Sequence, residues 1–136
     1  LLGLWWAGER ISPLARQLEE QLAAVLGPLT VAEAVSLAVL SGFAEELFFR
    51  GAVQGQWGWI AATVLFAVLH TGPGSAFRVW TLFAVVAGGL FGGLMEWRGN
   101  LLAPVVGHFV VNGVNLRRLA SRAFDSGRLP RSEEEG

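Results

Sequence analysis

Cysteine is absent from the 136 residues, so the chain has no disulfide framework, thiolate metal site or thiol nucleophile. Lysine is absent too, and all ten cationic side chains are arginine. Charge of either sign is scarce, at 15% of residues, and a net charge of −1 offers no basic face to nucleic acid. There is no His-Glu-x-x-His helix and no glycine-rich phosphate loop. No serine has a base placed beside it by the sequence; Ser41 lies one turn before Glu45. A signal peptide, with its charged start and small-residue cleavage site, is not visible. The chain opens Leu1-Leu2-Gly3 without a methionine, which reads as a piece of a longer protein.

What is present is apolar. Hydrophobic residues make up 53% of the chain and the mean hydropathy is +0.50, which places it in the membrane class. The expected architecture is all-α, a multi-pass transmembrane helix bundle with an N-terminal amphipathic interfacial helix. Residues 1–28 read as the end of an upstream helix followed by that amphipathic helix. Residues 29–121 read as a core of about four transmembrane helices. Residues 122–136 read as a polar, disordered tail.

The segments follow from spacing and punctuation. Ile11, Leu14, Leu18, Leu22 and Val25 recur at helical spacing, with Arg16, Glu19 and Glu20 on the other side. That helix, about residues 12–26, is expected to lie on the membrane and to stop at Gly27-Pro28. Spans are expected at residues 30–53, 57–70, 77–97 and 101–119, with a turn at Gly55 and Gly58 and another at Thr71-Gly72-Pro73-Gly74. Gly88, Gly89, Gly92 and Gly93 form two interleaved small-xxx-small pairs, a packing surface for a neighbouring helix. Arg117, Arg118, Arg122, Arg128 and Arg131 crowd after the last span, so that end is expected in the cytoplasm of a prokaryotic cell.

One stretch breaks the apolar pattern. Ser41-Gly42-Phe43-Ala44-Glu45-Glu46-Leu47-Phe48-Phe49-Arg50-Gly51 puts three charges in one span, each costing at least ~2.5–3.5 kcal/mol at bilayer depth. Glu46 and Arg50 share a helix face and can pair, whereas Glu45 has no cation four residues away. A buried structural ion pair with a spare carboxylate is the plain reading of this stretch alone. The chain's two histidines, His70 and His108, also fall inside spans, and Asn112 shares a face with His108. At ~1.5 Å per residue, Glu45 lies roughly 13–14 Å below the turn that follows it at Gln54, His108 about as far below the turn before it at Gly99, and His70 near 20 Å beyond Trp57. Three distant segments thus bring polar groups to within about 7 Å of one level, where ionisable residues default to function. Glu45, Glu46, His70, His108 and Asn112 are expected to line one cavity.

This set suits hydrolysis by an activated water. A carboxylate takes the water proton with a histidine orienting it, and His108 with Asn112 could donate to a tetrahedral oxyanion. Alternatively, Glu45, His70 and His108 are three ligands of the kind catalytic zinc uses.

The same segments resemble the CPBP family, which groups CAAX prenyl endopeptidases, bacteriocin-processing proteins and Abi proteins and includes the Rce1-type enzymes. Its Glu-Glu-x-x-x-Arg is matched by Glu45, Glu46 and Arg50, its Phe-x-x-x-His by Phe66 and His70, and its His-x-x-x-Asn by His108 and Asn112. The resemblance covers about residues 29–119. It implies an intramembrane endopeptidase in which Glu45 and His70 activate water and His108 with Asn112 stabilise the oxyanion. The implied partner is a peptide or protein substrate, prenylated or membrane-embedded, in a lipid bilayer. Metal-dependent and metal-free glutamate mechanisms both fit that resemblance. Two other classes share these residues. One is an ion or proton transport element with Glu45, Glu46 and the two histidines as a relay; the other is a catalytically idle immunity or scaffold protein with the same fold.

Overall fold

A computed structural model describes residues 1–125, and these contain helices and no strand. The expected disordered tail lies outside them from residue 126 onward, while residues 122–125 continue the last helix. In chain order the elements are α1 (Leu2–Ile11), α2 (Pro13–Leu26), α3 (Val31–Glu46), a π-helical segment (Leu47–Val53), α4 (Gln54–Leu69), α5 (Ala76–Arg98) and α6 (Leu102–Asp125).

Helix starts follow local chemistry. Ser12 caps α2 by accepting from Ala15 N at 3.4 Å, with Pro13 in the first turn where no amide donor is needed. Thr30 opens α3 with a reciprocal pair: Thr30 Oγ1 accepts from Glu33 N, and Glu33 Oε2 accepts from Thr30 N at 2.8 Å.

The stretch expected as one α-helix over residues 30–53 differs in its second half. Its last seven residues wind as a π-helix, with Gln54 N donating to Phe49 O five residues back. A wider turn leaves fewer degrees between consecutive residues. Phe49, Arg50 and Val53 are accordingly all buried.

α4 is broken at Gly58, whose φ of 83° and ψ of 169° lie outside the helical region and suit a residue with no Cβ. Beyond this break the chain folds back, and the rings of Phe49 and Phe66 meet edge to face at 5.0 Å. The limb over residues 59–69 rises about 16 Å and ends at His70. Two helical stretches, Val31–Leu69 and Ala76–Arg98, are long and apolar enough to cross a membrane, and the first contains this break.

The core sits where the four later segments meet. Phe49, Phe66, Ala67, Ala84, Ala87, Phe91 and Val111 form one buried cluster, and Trp5, Leu18 and Ala76 form a second that holds α2 against α5. The glycine stripe of α5 faces α4: a Cβ on Gly88 would come within 3.2 Å of Thr63 Cγ2, and one on Gly92 within 2.2 Å of Trp59 Cδ1. α3 and α6 cross as closely, because a Cβ on Gly42 would lie 3.2 Å from Phe109 N.

One residue of α2 departs from the expected polar face. Glu19 is buried, accepts from Trp5 Nε1 at 3.1 Å, and pairs with Arg122 and, at 4.0 Å, with Arg118. A carboxylate taken off the polar face and placed inside requires such partners, and the fold supplies them from α1 and α6.

Candidate active site

Glu46 and Arg50 anchor the site. Both are almost wholly buried, at 0% and 1% exposure, and Arg50 Nε lies 3.1 Å from Glu46 Oε2. Arg50 Nη2 also donates to the Gly88 carbonyl at 3.2 Å, which the bare glycine stripe leaves reachable. Its guanidinium stands 4.7 Å from the Phe66 ring centroid, within cation–π range. The second oxygen of Glu46 turns to α6, where His108 Nδ1 lies 2.7 Å from Oε1. Glu46 therefore does not line the cavity as expected, but stands behind it and holds a histidine that does.

The histidine tautomers follow from their partners. His70 Nδ1 lies 2.7 Å from the Phe66 carbonyl, which can only accept, so Nδ1 carries the proton. His108 Nδ1 faces a carboxylate already paired with Arg50, and donates to it for the same reason. In the neutral rings both Nε2 atoms are then acceptors, and both point at Glu45: Oε2 is 3.7 Å from His70 Nε2 and 3.8 Å from His108 Nε2. These separations are too long for hydrogen bonds. Glu45 Oε2 has no hydrogen-bond partner among the described residues. Stacked rings fix both imidazoles, Phe66 on His70 at 4.2 Å and Phe91 on His108 at 5.2 Å.

Glu45, His70, His108, Asn112 and Ser41 line one cavity of about 330 Å³. Its other walls are mainly apolar, including Trp80, Phe83, Ala87 and Leu116. Asn112 Nδ2 donates to Ser41 Oγ at 2.9 Å, which orients the amide and uses one of its two N–H groups. Of the six residues singled out by sequence, four face this cavity and two, Glu46 and Arg50, support it from behind.

Glu45, His70 and His108 converge, yet among the described residues no group of three or more His, Cys, Asp or Glu is arranged to hold a metal ion. The zinc set considered from the sequence is not matched by this geometry, and no step below is routed through a metal.

Gln54 was not singled out by its sequence context. It is buried one turn beyond Arg50 and donates to the Gly92 carbonyl at 3.0 Å and to Glu96 Oε1 at 2.8 Å. Arg50 with Gly88 and Gln54 with Gly92 make two successive rungs between the first hairpin limb and α5. The signal for it was the shared spacing of four residues in both pairs.

Comparison with known proteins adds an independent finding. The family model described as type II CAAX prenyl endopeptidase Rce1-like matches residues 27–114, which contain all six residues above. A curated relative, "Uncharacterized protein YpbD" of Bacillus subtilis (strain 168), is 39% identical over 85 residues, or 59% of this chain and 42% of that protein. The chain thus spans less than half the length of that relative. No solved structure matches.

Proposed function

The chain belongs to the Rce1-like family of type II CAAX prenyl endopeptidases, and from that premise we propose that it is an intramembrane endopeptidase acting by water activated at Glu45. The observation that carries this reading is the convergence of Glu45 Oε2 with two imidazole Nε2 atoms on the wall of a largely apolar cavity. Three acceptors gathered at one point favour a shared proton donor, and a substrate water is such a donor.

In the proposed reaction, Glu45 takes a proton from a water held with His70. The hydroxide oxygen adds to the scissile carbonyl carbon, and the carbonyl π pair moves to oxygen. Asn112, through its second N–H, donates to that oxyanion, and Glu46 holds His108 beside it. Glu45 then returns the proton to the amine nitrogen as the C–N bond breaks. The products are a carboxylic acid and an amine, and the enzyme ends in its starting state. Arg50 touches no reacting atom; it pairs with Glu46 and holds it in place for His108.

The substrate is a peptide or protein segment presented at the membrane, and the bundle is a multi-pass one with its C-terminal end cytoplasmic. The test is a cleavage panel of prenylated CAAX peptides and unmodified membrane peptides, given to purified protein and its Glu45→Ala form. Cleavage of either class that vanishes in Glu45→Ala supports the reading. No cleavage of any member by well-folded protein sinks it and leaves the transport-element and idle immunity or scaffold alternatives.

A further inference from the structure

A second opening lies away from the catalytic cavity. It is a cleft of about 550 Å³ lined by Trp6 and Arg10 of α1, Arg16 of α2, and Arg118 and Arg122 of α6. Four guanidinium groups from three helices converge there. Arg16 Nη1 donates to the Arg10 carbonyl at 3.5 Å, joining the end of α1 to α2. Arg118 stacks its guanidinium 5.4 Å from the Trp6 ring centroid. Glu19 engages Arg122 and Arg118 from the cavity side. A guanidinium is a planar fork of N–H donors that matches the oxygens of a phosphate.

The position of the cleft selects its ligand. Arg118 is ten residues past His108 on α6, about 15 Å along the helix, and Arg122 about 21 Å. With His108 near mid-depth, half of a ~30 Å hydrocarbon layer puts Arg118 at its edge and Arg122 among the headgroups. A half-exposed tryptophan at that level is an interfacial anchor. Across these helix ends the sequence carries Arg10, Arg16, Arg117, Arg118 and Arg122 against Glu9, Glu19, Glu20 and Asp125, five cations against four anions. The surplus is small, so recognition rests on convergence around one cleft and not on bulk charge.

We propose that this cleft binds the phosphate of an anionic phospholipid headgroup at the membrane surface where α6 ends. The inference rests on the membrane placement and not on the peptidase reading, so its readout is binding and not cleavage.

The test uses the full chain purified in a neutral detergent. Native mass spectrometry counts retained lipid after addition of phosphatidylglycerol or phosphatidylcholine. Thermal unfolding is followed with each lipid, with inorganic phosphate and with oligoglutamate. Arg10 and Arg16 are exposed, so an R10A/R16A form is expected to fold, and its unfolding in phosphatidylcholine checks this. Expected is retention of phosphatidylglycerol over phosphatidylcholine, weakened about 25-fold in R10A/R16A at roughly fivefold per arginine near an anionic surface. R10K/R16K should recover part of that loss, since it keeps charge and loses the fork. Equal retention of both lipids overturns the proposal, as does unchanged phosphatidylglycerol binding in R10A/R16A. Arginine-dependent protection by inorganic phosphate as strong as by the lipid makes this a soluble-phosphate site and overturns the lipid assignment. Tighter arginine-dependent binding of oligoglutamate makes it a protein-docking surface, with the same result.

Discussion

His108 Nδ1 lies 2.7 Å from Glu46 Oε1 across 62 residues of chain, inside the crossing of α3 and α6. Glu46 thereby makes two contacts with different consequences. Its pairing with Arg50 is local, an i,i+4 contact between two buried side chains. Its bond to His108 is long-range and fixes which nitrogen of the imidazole faces Glu45. The paired Glu-Glu thus divides its work: Glu45 faces the cavity, and Glu46 orients a group that lines it.

Arg50→Ala should be strongly destabilising. It leaves Glu46 buried without its cation, and breaking a buried pair from one side costs about 3–5 kcal/mol. Arg50→Lys keeps a charge but cannot reach both Glu46 and the Gly88 carbonyl with a planar fork. It should fold better than Arg50→Ala and remain below wild type. Thermal unfolding in detergent ranks the three; wild-type stability and activity in Arg50→Ala would contradict the structural role.

Gly42→Ala tests how tightly the helix crossing sets the site. The added methyl would sit 3.2 Å from Phe109 N, and a backbone atom cannot swing aside as a side-chain tip can. α6 must give by a few tenths of an ångström, carrying His108 away from Glu45 and Glu46. Misplacement by ~1 Å can cost 10²-fold, so turnover should fall ~3–10-fold with the protein still folded. Gly89→Ala is the control, since nothing lies within 4 Å of its added methyl. Equal turnover in both variants would detach the crossing from the chemistry.

The residues differ in how far their roles were legible beforehand. Glu46 and Arg50 were readable as a pair because four-residue spacing on a helix is a local rule. Family membership was readable too, since three short motifs fell in order on apolar segments. The bond from Glu46 to His108 was not readable, because periodicity places residues on faces and cannot say which distant face arrives. Glu19 was assigned to the polar side for its charge, yet it lies four residues after buried Ala15 and beside buried Leu18. Its partners come from α1 and α6, outside any local window. The π-helical turn left no mark either, because an apolar run is compatible with either hydrogen-bond register.

Chelation discriminates the mechanisms that both histidines permit. Each Nδ1–H is held by an oxygen, the tautomer that metal-ligating imidazoles also adopt, but the three donors are not arranged as a metal site. Activity should therefore survive 1,10-phenanthroline followed by dialysis. Loss of activity that stoichiometric zinc restores, together with loss of bound metal in His70→Ala, would overturn the metal-free assignment.

Glu45 and Asn112 face the same cavity but should fail differently when replaced. Glu45→Gln keeps the shape and one amide in place of the carboxylate. It removes the base that takes the water proton and the acid that returns it to the leaving amine, so both halves of the reaction stop. Cleavage should drop below detection while substrate still binds, read as co-purification or competition with an uncleaved peptide. Asn112→Ala removes one donor to the oxyanion and leaves the base intact. One such donor is worth ~10²–10³ in turnover, so cleavage should be slow but measurable, with KM little changed. Ser41→Ala separates orientation from donation, because it removes only the acceptor that holds the Asn112 amide at 2.9 Å. Its loss should be smaller than that of Asn112→Ala and in the same direction. The order of damage should thus run Glu45→Gln, then Asn112→Ala, then Ser41→Ala. Equal losses in the first two would remove the basis for giving Glu45 the proton and Asn112 the oxyanion.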